Sequence, residues 1–239
     1  APEIDTTALP AFFLYGYVPS PHTLYRGIVK LPPGHVAHVT MDGGVRLEAY
    51  WELPLPAASA SGARTPSDAE ASATVRELLT AAVRRRLTAD VPLGAFLSGG
   101  LDSSIIVGLM SRLSSAPVRT FSIGFARQPH FDETSYARLA SKRFGTVHTE
   151  FTVEPASVEL AEQLVWHHDG PFADSSAIPM YLLSRLTREH VTVALSGDGG
   201  DELFAGYLRV SAALLAERMP RWARAAASGL GTRLPSSGP

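Results

Sequence analysis

From residue 91 onward, short and almost wholly apolar stretches alternate with stretches of helical periodicity. VPLGAFL precedes SSIIVGLMSRL, VRTFSIGF precedes DETSYARLASKRFG, VHTEFTV precedes helical spans over 156–168 and 176–189, and VTVALS precedes a further helix after Asp201. A strand with no polar side needs cover on both faces, and strands separated by helix-length crossovers run parallel. The expected fold class is therefore α/β, a parallel sheet with helices on both faces. Asp132 stands near the start of one helix and Gly145 at its end, residue types that cap and stop helices. Ahead of the first strand, Ser67 or Asp68 can cap a helix whose apolar positions Val75, Leu78, Leu79, Ala82 and Val83 recur at helical spacing.

Residues 1–52 read differently. The apolar segment LPAFFLYGY precedes GIVKLPPGHVAHV and VRLEAYWEL, which are joined through Asp42, Gly43 and Gly44, the turn chemistry of a β-hairpin. LPLPAASASGARTPS follows, rich in Pro, Ala, Ser and Gly, with the composition of an exposed linker. A domain boundary is expected at residues 53–66. The chain opens on APEIDTT without methionine and closes on the turn-rich RLPSSGP, so it is expected to be a piece of a longer protein.

A net charge of −2 gives no electrostatic reason to expect nucleic acid or an anionic membrane as partner, because phosphate surfaces need clustered positive charge. The one basic run, Arg84 to Arg86, reads as a solvated helix face. The absence of cysteine excludes a disulfide framework, a thiolate metal site and a thiol nucleophile within this chain. No stretch reaches the length of a membrane span and no export signal is visible, so a cytoplasmic location is expected.

The segment with the most chemistry is SGGLDSS, residues 98–104, set between a strand ending at Leu97 and a helix beginning near Ser103. Gly99 and Gly100 permit a tight turn and close approach of backbone N–H groups to an anion, and the helix start favours negative charge. Ser98, Ser103 and Ser104 add hydroxyls. The loop is not of the GxxxxGK[ST] type, and the chain's only lysines are Lys30 and Lys142. Asp102 repels a bare phosphate but can hold a Mg²⁺ that bridges phosphate oxygens. The plainer alternative is a Ser/Gly-rich turn with Asp102 as a helix cap.

A second glycine-rich loop, SGDGGDELFAGY at 196–207, again follows a short apolar strand and concentrates Asp198, Asp201 and Glu202. Acids at the carboxyl ends of parallel strands stand where open α/β sheets place ligands. If the two strands are neighbours, Asp102 and Asp201 could share one Mg²⁺. Read alone, this loop is equally an acidic turn capping a helix.

SGGLDSS resembles the PP-loop of ATP pyrophosphatases, which bind the pyrophosphate of ATP and release it after adenylating a substrate. Together with SGDGGDELFAGY and the intervening PFADSSAIPMYLLS, it resembles the asparagine synthetase family over residues 90–207. Residues 1–52 resemble the end of that family's glutamine-hydrolysing domain, with LPPGH and the closing YW as the weaker match, and 67–239 resemble a truncated ATP-binding synthetase domain. The resemblance implies a fold of the adenine nucleotide α-hydrolase type, with ATP and Mg²⁺ as cofactors and aspartate and glutamine-derived ammonia as substrates. It also leaves room for a homodimer in the longer parent. It places Ser98, Gly99, Gly100, Asp102 and Ser103 on the pyrophosphate and Asp102 with Asp201 on Mg²⁺. Phe96, Leu97 and Ile123 would border the adenosine, with Ser196 and Gly197 beside the ribose or adenine. Asp198 falls where several relatives carry Glu, assigned to positioning or deprotonating the nitrogen nucleophile, and is one methylene shorter. Glu202 is assigned to the helix start or to support of the site.

β-Lactam synthetases and amidotransferases acting on other carboxylates resemble the same pattern, and a non-catalytic nucleotide-binding module is the further alternative. Family members use an N-terminal cysteine to hydrolyse glutamine, so this chain alone is expected to be inactive as a glutamine-dependent enzyme, and it is expected to be inactive as a synthetase as well. His167, His168 and Asp169 read as a polar helix end rather than a metal site, because adjacent helical residues do not face one another. Trp51 and Trp166 read as packing residues. His148 resembles a recurrent family position, with no role that follows from its neighbours in sequence.

Overall fold

The computed structural model describes residues 2–53, 64–125, 132–153 and 158–220. Most of the expected linker, residues 156 and 157 of the expected helix start and the RLPSSGP tail lie outside these residues. In chain order the elements are α1 (Leu9–Tyr15), β1 (His35–Val39), β2 (Val45–Ala49), α2 (Asp68–Arg86), β3 (Leu93–Phe96), α3 (Leu101–Leu113), β4 (Arg119–Phe125), α4 (Thr134–Phe144), β5 (Val147–Val153), α5 (Val158–His167), α6 (Ala177–Thr187), β6 (Val193–Leu195), α7 (Gly200–Phe204) and α8 (Leu208–Arg218). They fall into two compact units, one of Ala1–Ala81, Phe125–Pro129 and Thr152–Glu189, the other of Ala82–Gly124, His130–Phe151 and His190–Pro239.

In the first unit the expected hairpin is present. β1 and β2 pair antiparallel from His35↔Ala49 to Val39↔Val45, and Thr40 N donates to Gly44 O at 2.9 Å to close the turn. Ser67 caps α2 reciprocally: its N–H donates to Glu70 Oε2 at 2.8 Å while Glu70 N donates to Ser67 Oγ at 3.4 Å. The Arg64 guanidinium and Ser67 together push the Glu70 carboxyl down to about 2. α5 and α6 pack together, burying Leu160 and Leu164 on one and Leu182 and Leu183 on the other. With that stripe inward, Trp166 lands on the far side of α5 and is 81% exposed. Trp51 is also exposed, so the packing role expected of both tryptophans is not seen here.

The second unit is a four-stranded parallel sheet in the order β5-β4-β3-β6. Alternate residues of a strand share a face. Ala95 and Leu97 accordingly point together into a core with Val107 and Met110 of α3, Ala137 of α4, Val118, and Val83 near the end of α2. The opposite face carries Phe121, 1% exposed and stacked on Phe151 at 6.2 Å between ring centroids. α4 ends on Gly145 at φ +65°, the left-handed stop its sequence announces. Two boundaries move. α3 begins at Leu101, ahead of Ser103, which puts Asp102 in the first helical turn. β6 is only three residues long, within the expected VTVALS, and pairs with β3 at one edge of the sheet. Among the described residues no helix is long and apolar enough to cross a membrane.

Candidate functional site

The chain leaves β3 through Leu97 to Gly100 and enters α3. Leu97 N donates to Phe121 O at 2.8 Å, which carries the sheet pairing up to the turn itself. Gly99 lies at φ +84°, and a β-carbon there would stand 2.6 Å from the Ala137 amide nitrogen. The backbone of α4 is therefore the wall behind this loop. Inside the turn, Gly100 N donates to Ser98 Oγ at 3.2 Å, Ser98 Oγ and Ser103 Oγ are 3.0 Å apart, and the Ser103 hydroxyl donates to Gly100 O at 3.3 Å. These bonds lock the turn with hydroxyls the motif supplies. Gly100 is the helix N-cap without any side-chain cap, and the first helical bond runs from Ser104 N to Gly100 O at 3.1 Å. The N–H groups of Leu101, Asp102 and Ser103 precede that bond, and with the helix dipole they can bind an anion.

The second loop reaches the same place from the neighbouring strand. β6 pairs with β3 from Leu93↔Val193 to Ala95↔Leu195, so Ser196 and Gly197 emerge beside the first loop. Gly197 closes on the start of α3: a β-carbon there would lie 2.8 Å from Asp102 Cβ and 2.8 Å from Ser103 N. A β-carbon on Gly200 would lie 2.5 Å from the carboxyl carbon of Asp102. The Asp102 carboxylate thus rests against the residue that directly precedes Asp201. Asp201 is half-buried in the first turn of α7, with its own carboxylate against Gly206. Among the described residues no hydrogen bond or ion pair engages either carboxylate, and no three His, Asp or Glu side chains converge into a cage for a metal. Two hard oxygen donors from adjacent loops suit a Mg²⁺ that takes its remaining ligands from phosphate oxygens and water.

The remaining expected residues distribute along the carboxyl ends of the strands. Phe96 pairs with Phe121, and Ile123 lies two residues further along β4, so Phe96 and Ile123 share one face of the sheet, both half-buried. Leu97 is 1% exposed with its side chain in the core, which leaves its backbone as the part available to a ligand. Asp198 is exposed, and its N–H donates to Ser196 Oγ at 3.3 Å. Glu202 accepts from the Tyr207 hydroxyl at 2.5 Å, a bond that lowers the Glu202 carboxyl below its ordinary range and raises Tyr207. Arg209 lies 4.1 Å over the Tyr207 ring. No motif in the chain announces the two supports found here, α4 behind Gly99 and Tyr207 clasping Glu202.

α5 ends at His167, and Asp169 follows at φ +55°, the polar helix end expected from sequence. His148 is half-buried on β5, and burial holds its imidazole below the ordinary histidine value.

A family model described as asparagine synthase matches residues 74–237. A putative asparagine synthetase [glutamine-hydrolyzing] 2 from Methanocaldococcus jannaschii is 37% identical over 209 residues, covering 86% of this chain and 39% of the relative. Asparagine synthetase [glutamine-hydrolyzing] 1 of Bacillus subtilis is 35% identical over 206 residues, covering 86% of this chain and 31% of the relative. Amidase chyE of Penicillium rubens is 31% identical over 215 residues, covering 84% and 32%. The chain spans about a third of the length of these curated relatives.

Proposed function

We propose, because this chain belongs to the asparagine synthase family, that its two glycine-rich loops form the ATP site of a carbon–nitrogen ligase, which in the longer protein converts aspartate to asparagine. The observation that carries this reading is the meeting of the loops, with Asp102 at the start of α3 seated against Gly197 and Gly200 beside Asp201. In this reading the loop amides and the start of α3, with Ser98, Gly99, Gly100 and Ser103, hold the β- and γ-phosphates. Phe96, Ile123 and the backbone at Leu97, Ser196 and Gly197 border the nucleoside. Asp102 and Asp201 would hold Mg²⁺, which supplies neutralising charge at the phosphate oxygens.

The acceptor carboxylate attacks the α-phosphorus, and pyrophosphate leaves with its charge stabilised by the amides of the first loop. Alignment and preorganised dipoles carry this step, with no protein nucleophile required. Ammonia then adds to the acyl-adenylate carbonyl and AMP departs, with Asp198 placed to orient the nitrogen nucleophile. In the longer protein, residues 1–52 would close a glutamine-hydrolysing domain that delivers the ammonia, 53–66 would link, and 67–239 would begin the synthetase domain. Product analysis of that protein with aspartate, ammonium and Mg·ATP tests the reading: AMP, pyrophosphate and asparagine are expected, and ADP with phosphate would contradict it. A second reading is the same site acting on another carboxylate, since a relative at 31% identity is named an amidase and not an asparagine synthetase. Turnover of another acid with inertness to aspartate would select it.

A further inference from the structure

One face of the β4–β5 edge is polar where a core would ordinarily be apolar. Thr120 and Ser122 alternate to the same side of β4, 0% and 4% exposed. His148 of β5 stands across from both, its Nδ1 3.0 Å from Thr120 Oγ1 and its Nε2 3.1 Å from Ser122 Oγ. Thr120 Oγ1 also lies 2.8 Å from Thr146 Oγ1, and the Thr146 hydroxyl donates to Ser141 Oγ of α4 at 2.9 Å. Counting protons fixes the direction of the chain, since a hydroxyl has one to give. Thr146 gives its proton to Ser141 and so accepts from Thr120. Thr120 then has none for the imidazole and accepts from Nδ1–H. The imidazole is the Nδ1–H tautomer, and its Nε2 accepts from Ser122. A single directed chain runs Ser122, His148, Thr120, Thr146, Ser141, from strand to helix.

α4 has a second anchor on β5, where Arg138 grips Glu150 through Nε at 2.7 Å and Nη2 at 2.8 Å. The same helix is the wall against which Gly99 packs, with Ala137 N 2.6 Å from where a β-carbon would be. A wall this close transmits any shift of α4 directly to the loop. We infer that His148 is a positioning residue for the first glycine-rich loop, acting through the hydroxyl chain and α4 to hold Gly99 and the start of α3 in register for phosphate. This rests on the ATP-site reading above. Breaking an interior link leaves buried hydroxyls unpaired and removes the side-chain tie between Thr146 and Ser141 of α4.

Two measurements on the 239-residue chain test it. A long-range ¹H–¹⁵N spectrum of the wild type above neutral pH should show His148 protonated at Nδ1; an Nε2–H tautomer would overturn the chain direction. Calorimetric titration with Mg·ATP, Mg·pyrophosphate and adenosine should then separate ligands by their phosphates. His148→Leu and Thr146→Val are each expected to weaken both phosphate ligands about tenfold while adenosine changes less than about twofold, and Thr146→Ser is expected to restore wild-type binding. Equal losses for all three ligands, or no loss in Thr146→Val, would overturn the positioning role while leaving the ATP site standing. A wild type that binds neither phosphate ligand would overturn both. If His148→Leu fails to fold, the Thr146 pair and the wild-type spectrum decide the matter.

Discussion

The two glycine-rich loops carry nearly the same punctuation, an apolar strand, glycines, an acid and a helix, yet the packing behind them differs. The first is fixed from behind. α3 buries Ser103, Val107 and Met110, Gly99 is walled by α4, and serine hydroxyls lock the turn. The second hangs from a three-residue edge strand, and its helices α7 and α8 bury no residue. It is held by the Tyr207–Glu202 clasp and by glycines that fold over Asp102. What separates the two is the packing behind the helix that follows, which the loop sequence itself does not encode.

The largest effects are expected where the two loops act as one. In the longer protein, Asp102→Asn and Asp201→Asn should each lower turnover by roughly a thousandfold with the melting temperature retained, because on the proposed reading each removes charge that would balance Mg²⁺ and the phosphates of ATP. Wild-type-like rates across a Mg²⁺ titration would break the pairing of the loops. A smaller and more discriminating effect is expected from paired glycine substitutions. Gly99→Ala adds a β-carbon onto the α4 backbone at a left-handed φ and should cost about 3 kcal/mol or more in denaturant unfolding. Gly199→Ala has a similar φ of +89° with nothing within 4 Å and should cost about 1–2 kcal/mol. Equal costs would erase the difference in packing.

Acid should also act through the anchored side before the other. His148 titrates below its ordinary 6.5 because burial disfavours the imidazolium, with Glu150 opposing the shift and Arg138 adding to it. A folded value below the unfolded one means that stability is complete above 6.5 and declines as pH falls through the depressed folded value. Glu202, held low by Tyr207, contributes only further into acid, below the ordinary 4.5. Thermal unfolding against pH should therefore lose stability in the first window in wild type and much less in His148→Leu; parallel curves would remove that assignment. The smallest effect belongs to the exposed clasp. Tyr207→Phe should return the Glu202 carboxyl toward its ordinary value in a ¹³C titration and leave the melting temperature essentially unchanged, whereas a large loss of stability would make the second loop as firmly built as the first.

Much of this was legible in the chain because it is written locally. Apolar runs gave the strands, Ser67 with Glu70 and Gly145 gave helix ends, Asp42 to Gly44 gave the hairpin, and SGGLDSS between a strand and a helix gave the first loop. The illegible parts depend on contacts distant in sequence. Tyr136 and Ala137 carry no signal that they wall Gly99. The partners of His148 exist only in one strand register, since a slip of one residue would turn Thr120 and Ser122 to the other face. The burial of the Leu97 side chain likewise depends on α3, α4 and Val118, partners its own segment does not name.

Oxygen tracing tests the central claim, that the paired loops activate a carboxylate through the α-phosphorus of ATP. With aspartate labelled by ¹⁸O in its side-chain carboxylate, the longer protein should place one labelled oxygen in AMP for each amide formed, because that oxygen attacks the α-phosphorus and leaves with it when ammonia adds. Label in inorganic phosphate, with ADP as co-product, would contradict the adenylation chemistry and the assignment of the first loop to departing pyrophosphate.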